Sequence, residues 1–206
     1  MISLSSLTES GRILVLDASV IINMNATGCS EAILGCFPGK VVVTTNVAVE
    51  LAHGRRNGHL DAELLDRLVS QGLVALHHLG PPAEPHYESL ISGSARNTLD
   101  DGEAATIALA YEVGGVAMID ERKAHRICAE RYPSLVVMPS IRLLLDPSVA
   151  EILGVARQIQ AIKNALELAR MRVPQEIIAD LQALIGTDEM RRYPSLPRYI
   201  GKAGAD

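Results

Sequence analysis

Short, almost uninterrupted apolar runs recur along the chain, separated by stretches whose apolar residues follow helical spacing. Strands that are buried on both faces of a parallel sheet have this unbroken apolar character. The pattern predicts five strands, and these are ILVL (13–16), VVVT (41–44), LVALHHL (73–79), VAMI (116–119) and LVV (135–137).

Helical periodicity lies between the predicted strands. Before the fourth strand, for example, Ala104, Ile107, Ala108 and Tyr111 are spaced at i, i+3, i+4 and i+7. Strands that alternate with helices indicate βαβ units with right-handed crossovers. We therefore predict a three-layer α/β/α fold with a central parallel sheet of about five strands.

The character of the sequence changes after the last predicted strand. Residues 148–173 and 174–186 are predicted to be two helices, with Pro174 in the first turn of the second. The remaining residues, 187–206, are polar and rich in proline, which predicts an irregular tail. We expect an α/β domain over residues 1–146, followed by a C-terminal helical extension and tail over residues 147–206.

Composition supports an aliphatic core and argues against disulfide-rich, zinc-stabilised, secreted and membrane proteins. Hydrophobic residues make up 48% of the chain, but aromatic residues only 3%, and Trp is absent. None of the three cysteines forms a CxxC pair, which argues against a disulfide framework or a structural zinc site. Because the sequence shows neither a secretory signal pattern nor an apolar run that could span a bilayer, we expect a cytoplasmic protein without membrane partners.

Acidic residues occur where a parallel α/β sheet binds its ligands, outside the carboxyl ends of the strands. Asp17 directly follows the first predicted strand, and Asp120 directly follows the fourth. Glu50 lies about one turn into the helix after the second strand, and Glu103 lies in the first turn of the helix before the fourth. We expect these four side chains to face one end of the sheet.

Two interpretations of these acids follow from the residues. Asp100 or Asp101 can cap a helix, Glu103 suits a helix N-terminus, and Asp17 and Asp120 can be turn residues. Alternatively, four carboxylates brought together would repel one another and raise one another's pKa, unless a cation neutralises them. Mg²⁺ and Mn²⁺ prefer oxygen ligands, so the second interpretation predicts a site for a divalent cation. Such an ion would also offset much of the formal net charge of −5.

Four sequence blocks, in this order, resemble those of the PIN (PilT N-terminus) domain family: VLDASVIIN, TTNVAVELAHG, LDDGEAATIALA and AMIDERKAHRI. The resemblance is greatest to a VapC-like bacterial subset whose third block reads Gly-Glu-Ala. It implies that Asp17, Glu50, Glu103 and Asp120 are catalytic and hold Mg²⁺ or Mn²⁺. It also implies that Ser19 orders the loop after the first acid.

We call Asp17, Glu50, Glu103 and Asp120 the acidic quartet. The roles of several residues near it are left undecided by the sequence. Asp101 could substitute for Glu103 or assist it, because the third acid of the family is more often Asp. Glu121 duplicates Asp120, although Asp120 is favoured because it ends the strand. The basic residues after these acids can either hold phosphates or form a solvated helix face, and they are Arg122, Lys123 and Arg126.

The resemblance implies a metal-dependent endoribonuclease that acts on RNA, with a homodimer as the expected assembly. It also suggests that the protein is the toxin of a type II toxin–antitoxin pair and has an antitoxin protein as its partner. The chain is longer than the usual toxins of this class. Its additional helices could form a homodimer interface, dock an antitoxin or cover a sheet edge, and all three fit the apolar stripe of Ile152, Val155, Ile159, Ile162 and Leu166.

Two alternatives differ from the nuclease hypothesis. A PIN scaffold could bind RNA or protein without cleaving it. A phosphatase of the haloacid dehalogenase type also places an Asp after its first strand, but it needs a second Asp two residues later, where this chain has Ser19. The nuclease hypothesis explains more of the acidic residues.

Overall fold

In the computed structural model, which describes residues 11–37, 40–55 and 59–196, five parallel strands form one central sheet. Their order across the sheet is β3-β2-β1-β4-β5, and Val15 of β1 lies level with Val42 of β2 and Ala117 of β4. The strands are β1 (Leu14–Leu16), β2 (Val41–Thr44), β3 (Ala75–His77), β4 (Val116–Met118) and β5 (Val136–Met138). All five predicted strands are confirmed.

Helices connect the strands and continue the chain after the last of them. Those before β5 are α1 (Ala18–Ala26), α2 (Ser30–Leu34), α3 (Thr45–Gly54), α4 (Asp61–Ser70), α5 (Glu84–Ile91), α6 (Asp101–Glu112) and α7 (Arg122–Arg131). Those after β5 are α8 (Ile141–Leu144), α9 (Pro147–Leu153), α10 (Val155–Leu168), a 3-10 turn (Gln175–Ile177), α11 (Ile178–Ile185) and α12 (Thr187–Met190). In the described part of the chain, no helix is both long and apolar enough to cross a bilayer.

The sheet separates two hydrophobic cores, because successive side chains of a strand point to opposite faces. Leu14 and Leu16 of β1 join one core with α1, α2 and α4. Val15 joins the other core with α5, α6 and α7. These layers confirm the predicted α/β/α fold.

The helices after β5 extend the first of these cores. Val149 of α9, Ile162 of α10 and Leu181 of α11 are fully buried in the same cluster as Leu14 and Leu16. The predicted boundary at residue 146 therefore separates elements that share a core, and the two-domain division stays a prediction.

The C-terminal region differs in detail from its prediction. The first predicted helix is interrupted at Gly154, whose φ of 76° lies in the left-handed region that glycine tolerates. Pro174 precedes a short 3-10 turn and does not begin an α-helix. The tail predicted to be irregular begins with the short helix α12, and its residues 197–206 lie outside the described residues.

Candidate active site

An acidic cleft of about 300 Å³ lies at the carboxyl ends of the neighbouring strands β1 and β4. The helix after β1 packs into the first core, whereas the helix after β4 packs into the second. A crevice opens where successive helices leave to opposite faces of a parallel sheet. All four predicted quartet residues line this cleft, and they are Asp17, Glu50, Glu103 and Asp120.

Asp17 is the N-cap of α1 and is 5% exposed. Its carboxylate accepts hydrogen bonds from Ser19 Oγ at 2.8 Å and from the Ser19 backbone N–H at 3.3 Å. Burial raises the pKa of Asp17, the bonds from Ser19 lower it, and the charge of Asp100 raises it further. The structure thus places Ser19 on the first acid, where its hydroxyl fixes the carboxylate.

Asp120 follows β4 and accepts three hydrogen bonds at its carboxylate. Asn23 Nδ2 donates at 2.7 Å, and Ser140 donates from its backbone N–H at 2.8 Å and from its Oγ at 2.6 Å. Loss of solvation nevertheless raises the pKa of Asp120, against the lowering effect of these donors. Asp120 is therefore held in one orientation by residues of α1 and of the segment after β5.

The contributions of Asn23 and Ser140 were not predicted. Asn23 is the one polar residue among the buried positions of helix α1, and Ser140 comes two residues after β5 ends. A lone polar residue in an apolar stripe and a hydroxyl at a strand's carboxyl end were both visible in the sequence. Neither signal identifies Asp120 as the partner, because the pairing joins distant parts of the chain.

Glu50 and Glu103 complete the quartet from α3 and α6. Burial of the carboxyl group is the largest cause that raises the pKa of each to about 7, and the charge of Asp17 is the second. Glu50 as a residue is exposed, so only its carboxyl end reaches into the cleft. These two glutamates thus share the cleft with two aspartates that are fixed by side-chain hydrogen bonds.

Gly102 allows the start of α6 to approach these acids. A Cβ atom built on Gly102 would collide with Glu50 Oε2, and it would lie 3.3 Å from Val47 Cγ2 and 3.4 Å from Asp17 Oδ1. The glycine of the Gly-Glu-Ala block therefore leaves the space that the carboxyl of Glu50 occupies.

The two aspartates at the start of α6 have different surroundings. Asp100 is the N-cap, its backbone N–H donates to Glu103 Oε2 at 3.4 Å, and its side chain lines the cleft. Asp101 instead accepts hydrogen bonds from the Tyr87 hydroxyl and, at 3.0 Å, from Asn46 Nδ2. The structure thus brings Asp100 to the quartet and directs Asp101 to Tyr87 and Asn46.

Glu121 also lines the cleft, where it forms an ion pair of 2.5 Å with Arg172. Asp120 and Glu121, the two candidates for the fourth acid of the quartet, therefore have different partners. Neutral donors bind Asp120, whereas a guanidinium group binds Glu121. The predicted quartet itself has no salt bridge among the described residues.

The predicted phosphate-binding residues lie in the first two turns of α7. Arg122 lines a second cavity, beside Asp120. Lys123 is partly exposed in the first turn. Arg126 pairs with Glu130 at 3.0 Å and donates to the Arg96 carbonyl at 2.8 Å. Arg122 therefore shares a cavity with Asp120 alone of the four acids, and Arg126 is paired elsewhere.

The donor set of the cleft fits a hard divalent cation. Its carboxylate and hydroxyl oxygens are the ligands that Mg²⁺ and Mn²⁺ prefer. Among residues 11–37, 40–55 and 59–196, no three His, Cys, Asp or Glu side chains converge closely enough to enclose one ion. Mg²⁺ usually keeps several waters and needs only one or two direct carboxylates, so this more open arrangement suits it.

A family model described as a PIN domain matches residues 13–187 of the chain. The match includes all five strands and extends past β5 to the first residue of α12. No curated protein and no solved structure matches the chain significantly.

Proposed function

The chain belongs to the PIN domain family, and from this premise we propose that it is a Mg²⁺- or Mn²⁺-dependent endoribonuclease that hydrolyses RNA phosphodiester bonds. PIN domains are generally nucleases that use divalent metals. RNA as the substrate, the identity of the ion and the internal position of the cut are our proposals. So are the roles of Asp17, Glu50, Glu103 and Asp120 as catalytic residues and metal ligands.

One observation carries this proposal: the four acids line one cleft, and none of them pairs with a basic side chain among the described residues. Burial is the largest cause that raises the pKa of each acid, and the negative charges of neighbouring acids raise it further. Structural carboxylates are usually paired or exposed, whereas carboxylates gathered without a partner are typical of a site that binds a cation.

Each residue has a distinct task in this proposal. Ser19 and Asn23 orient Asp17 and Asp120, so that these two carboxylates present fixed oxygens. Glu50 and Glu103 lose their protons as the cation binds, because metal ligation requires the deprotonated carboxylate. When bound, the cation stabilises the charge that develops on the phosphate and lowers the pKa of the attacking water.

RNA cleavage by the purified full-length protein tests the proposal. We expect single-stranded RNA to be cut internally with Mn²⁺ or Mg²⁺, and EDTA to abolish the cut. Asp17→Asn and Asp120→Asn should each lower the rate at least about a hundredfold, a usual loss when a group that stabilises transition-state charge is removed. Asp101→Asn is the matched control, because Asp101 is bound to Tyr87 and Asn46, and this variant should keep most of the rate.

Two results would contradict this function. Cleavage that persists in EDTA would contradict the metal requirement. Binding of the metal without cleavage of any RNA would instead favour the non-catalytic scaffold.

We further propose that the protein is a cytoplasmic homodimer and the toxin of a toxin–antitoxin pair. Part of the C-terminal apolar stripe supports a partner surface, since Ile152 and Val155 are 59% and 54% exposed. Ile162 and Leu166 of the same stripe are buried in the core. Ile152→Glu combined with Val155→Glu should convert a dimer to a monomer in light scattering, and growth arrest on expression should test the toxin role.

A further inference from the structure

A short segment after α10, residues 169–173, forms one wall of the acidic cleft. Met171 and Val173 are buried in the first core, and the Met171 backbone N–H donates to the Ala165 carbonyl at 3.0 Å. Burial at these alternate positions leaves Arg170 and Arg172 exposed, and both line the cleft. The core therefore fixes the position from which two guanidinium groups reach the acids.

Arg170 adopts a backbone conformation that arginine rarely takes. Its φ of 52° is the only positive value of a non-glycine residue in the described part of the chain. Helices usually place glycine in this left-handed position after their last turn, and another residue there costs about 1–3 kcal/mol. Glycine would adopt this backbone conformation at lower energy than arginine. The presence of arginine here therefore indicates that its side chain has a functional role.

The two arginines also join the cleft to its neighbouring cavities. A cavity of about 560 Å³ shares Arg170 with the cleft and adds Arg192. Another, of about 670 Å³, shares Asp120 and Arg172 with the cleft and adds Arg122. Ser195 lines both of these cavities, so the three cavities adjoin one another, and each neighbour of the cleft contains two arginines and one glutamate.

We propose that Arg170 and Arg172, on one wall of the cleft, hold backbone phosphates next to the scissile bond of a single RNA strand that enters the cleft. The inference rests on the proposed nuclease function and adds to it the path of the substrate. Guanidinium groups bind phosphate in bidentate geometry. Asp17 is 5% exposed, so a phosphate must enter the cleft to approach it, and the flexible backbone of a single strand does this more readily than the backbone of a rigid duplex.

The ion pair between Arg172 and Glu121 is compatible with this role. Both side chains are well exposed, at 62% and 42%. Exposed ion pairs contribute little to stability, so a phosphate can replace Glu121 as the partner of Arg172. The competing explanation is that the pair only fastens the segment to α7, in which case either partner would be equally important.

Binding of a short labelled single-stranded RNA to the full-length protein, in EDTA and at several salt concentrations, separates these explanations. We expect Arg172→Gln and Arg170→Gly each to weaken binding about tenfold, as the loss of one charged hydrogen-bonding contact predicts. Each should also reduce the slope of log K against log salt by about 0.7. Glu121→Gln should bind at least as tightly as the wild type, because it frees Arg172 and removes a negative charge.

Arg67→Gln is the matched control, because Arg67 is a similarly exposed arginine (56%) that pairs with Glu31. It should bind RNA like the wild type. Arg170→Gly should unfold at no lower temperature than the wild type, since glycine relieves the backbone conformation. Equal weakening by Glu121→Gln and Arg172→Gln, unchanged binding by Arg172→Gln, or equally tight, equally Arg172-dependent binding of duplex RNA would overturn the inference.

The failure of this inference can be distinguished from failure of the proposed function. If the wild type cleaves RNA but the arginine variants bind it normally, the strand path is wrong and the nuclease function stands. If RNA binding depends on both arginines but no cleavage occurs, the strand path stands and the nuclease function is wrong.

Discussion

Asn23 and Asp120 lie 97 residues apart in the sequence, and a hydrogen bond of 2.7 Å joins their side chains at the acidic cleft. Asn23 is buried in α1 and also donates to Ser140 Oγ at 3.1 Å. One amide therefore connects the first and fourth βα units and the segment after β5. The fold and the orientation of a proposed metal ligand depend on the same group.

We expect Asn23→Ala to lower both stability and activity. Loss of a hydrogen bond to a buried carboxylate should reduce the free energy of unfolding by about 1.5–3 kcal/mol. Urea unfolding checks this value, and RNA cleavage should slow because Asp120 loses one of its donors. Asn25→Ala is the control on the same helix, because Asn25 bonds to Asp61 at 3.1 Å. If both variants lose equal activity, Asn23 has no special role in orienting Asp120.

The stability of the metal-free protein should fall as the pH rises from about 5 to about 8. Glu50 and Glu103 have a pKa of about 7 in the folded protein and a usual value of 4.5. The folded state therefore binds more protons than the unfolded state between these values, and deprotonation removes this advantage. Urea midpoints measured in EDTA across this range should decrease, and the decrease should be smaller in Glu50→Gln and Glu103→Gln.

A divalent cation should reverse this trend, because it binds the deprotonated carboxylates. At pH 8, the midpoint should be higher with Mn²⁺ than with EDTA in the wild type. A midpoint in EDTA that rises steadily over the same pH range would contradict the raised pKa values.

The sequence predicts the strands well, because a fully buried parallel strand must be apolar on both faces. It also places Asp17 and Asp120 at one edge, since the carboxyl ends of parallel strands share that edge. It cannot distinguish Asp100 from Asp101, because neighbouring residues at a helix start depend on their side-chain partners, and those of Asp101, Tyr87 and Asn46, are contributed by other helices. Arg170 and Arg172 are unpredictable for a similar reason, since only packing of the C-terminal helices brings residues 169–173 to the cleft.

Gly102→Ala should reduce metal affinity without reducing stability. The added methyl group would occupy the position of Glu50 Oε2, and a flexible glutamate would move away. Replacing a glycine inside a helix with alanine favours the helix by up to about 1 kcal/mol, which offsets the crowding. Calorimetric titration with Mn²⁺ measures the affinity, and thermal unfolding in EDTA measures the stability.

A double-mutant cycle identifies the cause of this effect. If displacement of Glu50 explains the lower affinity, Gly102→Ala should change little in the Glu50→Ala background, because the two substitutions act on one interaction. Fully additive losses would show that Gly102 acts through Asp17 or through the helix itself.

The third metal ligand can be assigned by comparing Glu103→Gln with Asp101→Asn. A ligand that binds only the folded state stabilises it by RT ln(1 + [L]/Kd), or about 2.7 kcal/mol at one hundred times Kd. We expect Mn²⁺ to raise the unfolding temperature of the wild type and of Asp101→Asn by similar amounts, because Asp101 is held by Tyr87 and Asn46. Glu103→Gln should lose most of this shift, since Glu103 lines the cleft and faces Asp17. The opposite result, with the shift lost only in Asp101→Asn, would assign the ligand to Asp101 and require α6 to rearrange when the metal binds.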